Sequence, residues 1–252
     1  MIEEKFAAGD SLAHRLDPRV KIIVATLFSI TVAVSDRFLA LLPALAIGFI
    51  FVLVAAVPIK RLLQGLVPVN LLIIFLWFFL PFTFGGEPLF RVGPLVATRE
   101  GVWHATEITI KSNAIMGVLI ALVASTPVST LGHAMHELRI PSKIVHLFFF
   151  TYRYIHVINR EYLRLVNAMK IRGFRPGTNI HTYRTLAYLV GMLFVKSHER
   201  AERVYNAMLC RGFRGRFYSL NQFSLRTIDY VSLILMLAVI LGLAVLEWTR
   251  IA

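Results

Sequence analysis

Five apolar stretches constrain this chain more than any other feature: about Ile22–Val34, Phe38–Val57, Leu66–Leu80, Val102–Ala124 and Ile228–Leu246. A helix crossing about 30 Å of hydrocarbon needs roughly 20 apolar residues at 1.5 Å of rise each. The second and fifth stretches meet this comfortably. The first is short, and only Ser35-Asp36-Arg37 separates it from the second, a tight turn between antiparallel helices. The third extends to Phe84, with Pro81 marking a frayed end. The fourth opens with His104, Glu107 and Lys111; Glu107 and Lys111 stand at i,i+4 and pair on one helix face as an interfacial anchor. The fold class that follows is all-α, a polytopic integral membrane protein with about five to six spans.

Composition supports lipid over a water-soluble core. Hydrophobic residues make up 57% of the 252 and charged residues only 16%, against about a quarter charged in soluble domains. The opening Met1-Ile2-Glu3-Glu4-Lys5 is acidic and lacks a short apolar core with a small-residue cleavage site, so the first apolar run is expected to stay as a span. One cysteine, Cys210, excludes an intramolecular disulfide and a cysteine metal cage.

Charge is distributed unevenly. Residues 128–227 hold 16 of the 27 Lys/Arg and only four carboxylates (Glu137, Glu161, Glu199, Glu202), which is nearly all of the chain's +13. Lys5, Arg15, Arg19 and Lys21 precede the first span, and Lys60 and Arg61 separate the second from the third; the positive-inside rule puts both flanks in the cytoplasm. The loop from Pro81 to Glu100 then lies outside and residues 128–227 lie inside. Three regions are expected: 1–127 with the N-terminal spans, 128–227 as a basic cytoplasmic part, and 228–252 as a C-terminal span. Thr126-Pro127 stops the fourth span and Ile140-Pro141 breaks the chain again. Two long helices follow, about Ser142–Arg172 and Thr185–Arg211, joined through Gly177–His181. The apolar part of the second, Leu186–Val195, is too short to cross a bilayer.

Within the basic region, Asn167-Ala168-Met169-Lys170-Ile171-Arg172-Gly173-Phe174-Arg175 recurs further along as Asn206-Ala207-Met208-Leu209-Cys210-Arg211-Gly212-Phe213-Arg214, with Arg164 matched by Arg203. Each copy ends a helical pattern with Arg then Gly, and glycine just past a helix end enters the left-handed region without strain. Arg in the last turn complements the helix dipole by about 0.3–1 kcal/mol. Glycine-capped basic ends explain Arg-Gly but not the recurring Asn-Ala-Met. Ala168 and Ala207, one turn before each Arg, permit close approach of a partner surface, and Arg172 and Arg211 offer forks of donors to carboxylates and carbonyls.

These tips resemble the paired Ala-x-x-x-Arg-Gly elements of transmembrane (T) components of energy-coupling factor (ECF) transporters, in particular the cobalt/nickel-type CbiQ family. The resemblance covers nearly the whole chain. It includes Ser11-Leu12-Ala13-His14-Arg15-Leu16-Asp17-Pro18-Arg19-Val20-Lys21, Tyr152-Arg153-Tyr154 and Arg200-Ala201-Glu202-Arg203-Val204-Tyr205-Asn206-Ala207-Met208. Many relatives carry Ala directly before Arg-Gly, where this chain has Ile171 and Cys210. The resemblance implies a non-enzymatic scaffold in a bacterial or archaeal cytoplasmic membrane, N-terminus inside, with the two long helices acting as coupling helices. Arg172, Gly173, Arg211, Gly212, Ala168 and Ala207 would dock two ABC-type ATPase subunits, and the spans would hold a membrane substrate-capture (S) subunit. ATP and Mg would sit on the partners and no cofactor on this chain; the cargo implied is cobalt or nickel, as in uptake for cobalamin biosynthesis, with a vitamin as the alternative.

Other chemistry fits less well. His133-Ala134-Met135-His136-Glu137 places two histidines at i,i+3 but lacks a third ligand and is not the zincin pattern, so no metal site is expected. No P-loop appears. The four aspartates (Asp10, Asp17, Asp36, Asp229) are unpaired in the sequence, which disfavours a lipid or isoprenoid phosphate enzyme of the two-metal type. The aromatics flanking Arg153 suit packing or an interfacial anchor rather than nucleic acid.

Overall fold

A computed structural model describes residues 16–85, 87–92, 95–214 and 227–248. It confirms an all-α membrane architecture. Its elements are α1 (Pro18–Val34), α2 (Phe38–Val54), α3 (Ile59–Thr83), a hairpin of β1 (Pro88–Val92) and β2 (Leu95–Thr98), α4 (Arg99–Val118, widening into a π-helical turn over Leu119–Ala124), α5 (Val128–Glu137), α6 (Ser142–Ile171), α7 (Ile180–Cys210) and α8 (Thr227–Trp248). Among the described residues, 16–138 with 227–248 form one compact unit and 139–214 a second.

In the first unit, α1 is the central helix. Asp17 caps it by accepting from Arg19 N at 2.9 Å, and Pro18 stands at its first position, where no donor is lost. Val20, Val24, Phe28 and Val32 recur at i,i+4 and, with Ala25, bury one stripe against Leu41 and Ala44 of α2, Ala114, Val118 and Leu122 of α4, and Ile240 and Leu243 of α8. Lipid tails are as apolar as these side chains, so the gain comes from close packing and interhelical polar pairs rather than desolvation. Small residues set the spacing: a Cβ on Gly48 would stand 3.0 Å from the Ala114 carbonyl.

Among the described residues, three helices are long and apolar enough to cross a membrane, Ile59–Thr83, Arg99–Ala124 and Thr227–Trp248. The second apolar stretch is shorter than expected. It ends at Val54 instead of Val57, because Ala56 turns into the left-handed region at φ 49° and Pro58 starts the next helix. α1 and α2 have 17 residues each, about 25 Å of helix, short of the roughly 30 Å of a hydrocarbon core. The third span begins at Ile59, seven residues before the apolar pattern, and contains both Pro68 and Pro81. Lys60 and Arg61 interrupt the hydrophobicity of that segment but not its backbone ladder.

The segment read as an irregular loop carries the β1–β2 hairpin, antiparallel with Pro88 opposite Thr98 and Val92 opposite Leu95. Thr98 ends β2 and caps α4: its Oγ1 accepts from Gly101 N at 3.3 Å and donates to the Phe84 carbonyl at 2.9 Å.

Polar side chains join α3 to α4 within the apolar layer. Asn70 and Asn113 exchange reciprocal amide bonds at 3.1 Å, and Trp77 Nε1 donates to Thr109 Oγ1 at 2.9 Å. Either Asn→Leu change alone leaves a partner amide without its mate. In a double-mutant cycle of detergent unfolding, N70L and N113L should therefore be coupled by about 0.6–1.7 kcal/mol, the double variant costing less than the sum.

The bundle carries a charged cluster at each end. At the α1 C-terminal end, Lys111 Nζ reaches Asp36 Oδ1 at 2.9 Å and Glu107 at 2.6 Å, Glu107 meets His104 Nδ1 at 3.2 Å, and Glu247 Oε1 accepts from Asp36 N at 3.2 Å. The expected Glu107–Lys111 pair is present, extended by Asp36 of the α1–α2 turn. The Lys111 ammonium holds the Asp36 carboxyl below the usual carboxylate range. At the opposite end Asp17 N donates to Asp229 Oδ1 at 2.9 Å and both residues are buried. Folding brings together residues 212 apart in sequence.

Candidate functional site

Residues 139–214 are built from α6 and α7, of 30 and 31 residues. α7 starts earlier than its apolar pattern indicates. Asn179 caps it by accepting from Thr182 N at 2.8 Å, and the buried Thr182 hydroxyl accepts from Gly177 N at 3.1 Å. His181 therefore belongs to the helix, and the connector is residues 172–179.

The two helix tips are the same structure built twice. Arg172 ends α6 at φ −77° and ψ 11°, and Arg211 ends α7 at φ −89° and ψ 10°. Gly173 and Gly212 follow at φ 78° and 80°. Gly173 N donates to Lys170 O at 3.0 Å and Phe174 N to Met169 O at 3.0 Å; Gly212 N donates to Leu209 O at 2.9 Å and Phe213 N to Met208 O at 3.0 Å. This is the Schellman ending, in which the residue after glycine bonds back across six residues and packs on the side chain whose carbonyl it uses. The half-buried pairs Met169/Phe174 and Met208/Phe213 fit that role. A residue with a Cβ at Gly173 or Gly212 costs about 1–2 kcal/mol in the left-handed region, although nothing lies within 4 Å to clash. Gly173→Val and Gly212→Val should fray the last turns, read as faster amide exchange at 169–174 and 208–213, while Asn at either site is tolerated.

Capping accounts for Met, Gly and Phe in the repeat. It does not account for Asn167/Asn206, Ala168/Ala207, the guanidiniums of Arg172/Arg211, or Arg175/Arg214, all of which are exposed. Beside them Ile171 is 87% exposed, and Cys210 is exposed. Each tip thus presents the same small, amide and cationic surface next to an uncovered apolar or thiol side chain.

The two helices meet where Lys196 Nζ donates to Glu161 Oε1, a contact with no signature in the sequence. Arg164 adds a second cation to Glu161 at 3.3 Å. On one side of this junction a groove runs between Phe150, Tyr154 and Ile158 of α6 and Val204, Tyr205 and Met208 of α7, so the helices run antiparallel along it. Arg172 lies beyond Glu161 in the other direction, and Arg211 lies beyond Lys196 along the groove. At 1.5 Å per residue the tips stand roughly 16 Å and 22 Å from the junction, on opposite sides of it. Met208 both lines the groove and anchors the second tip. The Lys196 hydrogen bond, with Coulombic help from Lys196 and Arg164, holds the Glu161 carboxyl below its ordinary range. A depressed carboxyl pKa stabilises the link above the ordinary value and loses it as pH falls through the lowered one. Spin-label distances across residues 158 and 204 should be unchanged from pH 7 to 5 and lengthen only in stronger acid.

His133 is half-buried on α5 and His136 is exposed. Among the described residues, no group of three or more His, Cys, Asp or Glu is placed to hold a metal ion.

A family model described as cobalt transport protein, CbiQ, matches residues 9–225 and so spans both units and both tips. The chain belongs to the CbiQ family. Similar curated proteins include energy-coupling factor transporter transmembrane proteins EcfT from Thermosediminibacter oceani (26% identity, covering 84% of this chain and 83% of the relative), Leuconostoc gelidum (29%, 83% and 82%) and Listeria innocua (29%, 85% and 85%). Membership makes this CbiQ-family chain a membrane transport component. The match extends from the repeated tips back through α1–α4.

Proposed function

We propose that the chain is the scaffold and coupling subunit of an energy-coupling factor importer, with Arg172 and Arg211 as its docking points for two ABC-type ATPase subunits. The single observation that carries this reading is the part of the repeat left over after capping: a matched set of exposed Asn, Ala and Arg side chains at two stiff helix ends. Two equivalent tips on opposite sides of one junction suit a partner present in two copies. Gly173 and Gly212 end the helices so that each guanidinium projects, and Ala168 and Ala207 leave room for a partner backbone to approach. ATP binding and closure in the partners would move the tips, and α6 and α7 would pass that motion toward the spans and a membrane capture subunit.

The N-terminus and residues 128–227 lie on the cytoplasmic side in this reading, as the Lys/Arg bias of the short flanks favours. The cargo in this reading is cobalt or nickel, cobalt being the metal that the family description names, and the capture subunit rather than this chain selects it. A vitamin is the second reading, since the EcfT relatives' names specify no metal. Co-purification from the native membrane followed by mass spectrometry should return two ABC-type ATPase subunits and one small membrane protein. Radiolabelled cobalt, nickel and vitamin uptake by that complex then separates the cargoes. Recovery of the chain alone, with no ATPase, contradicts the proposal.

A further inference from the structure

We infer that α5 is a transmission strut, tied to the base of α1 at its last residue and, through Thr126, just ahead of its first turn, and that Lys21 is a positioning residue for coupled transport. The inference rests on the importer reading for its function but on the first compact unit alone for its geometry. α4 loses its regular ladder over the π-helical turn Leu119–Ala124, and Pro127 stops it outright. Motion arriving through α5 would be absorbed at such a joint, because wide turns and missing ladder bonds leave it soft.

Two side-chain straps bypass that joint. Lys21, 2% exposed, donates from Nζ to Thr126 Oγ1 at 3.1 Å, just before Pro127. Arg19 pairs with Glu137 at 3.7 Å, at the far end of α5. Both cations stand in the first turn of α1, and that turn is itself fixed, by the Asp17 cap and by Asp229 at the start of α8. Asp17 stands one turn before Lys21 and holds Asp229 through its backbone N–H. Gly132 and Ala134 bury the face of α5 between its strapped ends. Burying an ammonium beside two carboxylates is a poor route to stability, since apolar replacements of such clusters are often neutral or better. What the arrangement provides is a fixed attachment between α5, α1 and α8.

The test uses the full complex of chain, ATPases and capture subunit in liposomes, with Lys21→Met and, because that variant could fail to fold, the near-isosteric Thr126→Val. The strut predicts assembly at the wild-type level and ATP hydrolysis within about twofold of wild type. It predicts cargo imported per ATP falling about tenfold or more in K21M and several-fold in T126V, with Lys21→Arg largely restoring it. Amide exchange over 119–137 should rise in both variants while that of α2 and α3 stays unchanged. Wild-type cargo per ATP in T126V, or a proportional loss of hydrolysis and uptake, overturns the inference. If wild-type chain retrieves no ATPase, the importer reading fails instead. Exchange over 119–137 in the isolated chain then still decides the strapping, which unchanged exchange overturns.

Discussion

A complex carrying Arg172→Glu and Arg211→Glu together loses ATP-driven uptake, and recovery of its ATPase subunits falls by about a hundredfold. Each exposed guanidinium is replaced by a carboxylate at a site that, on this account, meets carboxylates and carbonyls of a partner. Buried interface arginines are often worth about 2 kcal/mol or more, and about 1.4 kcal/mol is a tenfold change in affinity. One tip reversed should therefore weaken recovery at least tenfold, and two should compound because they engage separate copies. The chain itself should fold normally. The Schellman endings use the backbone of Arg172 and Arg211, not their side chains, so detergent melting of the double variant should match wild type to within the loss of two dipole interactions. Strong destabilisation of the isolated chain would show instead that the arginines are structural.

The largest effect on the chain's own stability is expected at Gly101. A Cβ there would stand 2.6 Å from the Leu80 carbonyl and 2.7 Å from Pro81 Cα, both backbone atoms of α3. Neither can rotate away, so α3 and α4 must separate near the hairpin. Overpacking of this kind costs about 1–3 kcal/mol, and the same displacement strains the Thr98 cap and the Trp77–Thr109 bond further along the pair. Gly101→Ala should lower the melting temperature clearly, and Gly101→Val should sharply reduce the yield of folded protein. Gly191 and Gly242 make the matching controls. Both lie inside helices with nothing within 4 Å of an added Cβ, so Ala there should stabilise by about 0.5–1 kcal/mol.

The contrast between these sites shows which parts of the molecule can be read from sequence. Span existence is legible because a helix in lipid announces itself by sustained apolarity. Span ends are not, because caps rather than polarity fix them: Pro58 starts α3 ahead of Lys60 and Arg61, Ala56 ends α2 early, and Asn179 starts α7 before its apolar part. The β1–β2 hairpin is hidden because neither short strand has a clear alternating pattern. Lys21 is legible only as one more cation flanking a span. Its buried ammonium meets Thr126, 105 residues away. The twin tips are the most readable part of the site, since a glycine at positive φ is a local requirement and its repetition cannot be hidden by tertiary context. The Glu161–Lys196 junction that holds their helices together, 35 residues apart, has no comparable signal.

The chain's one cysteine supplies the most direct measurement. Cys210 is exposed and immediately precedes Arg211. A photo-crosslinker attached to that thiol in the native complex should capture an ATPase subunit, and Ile171→Cys in a Cys210→Ser background should capture one from the other tip. In sealed, right-side-out vesicles neither thiol should react with an impermeant reagent. Labelling from the outside, or crosslinks that never reach an ATPase from either tip, would contradict the account.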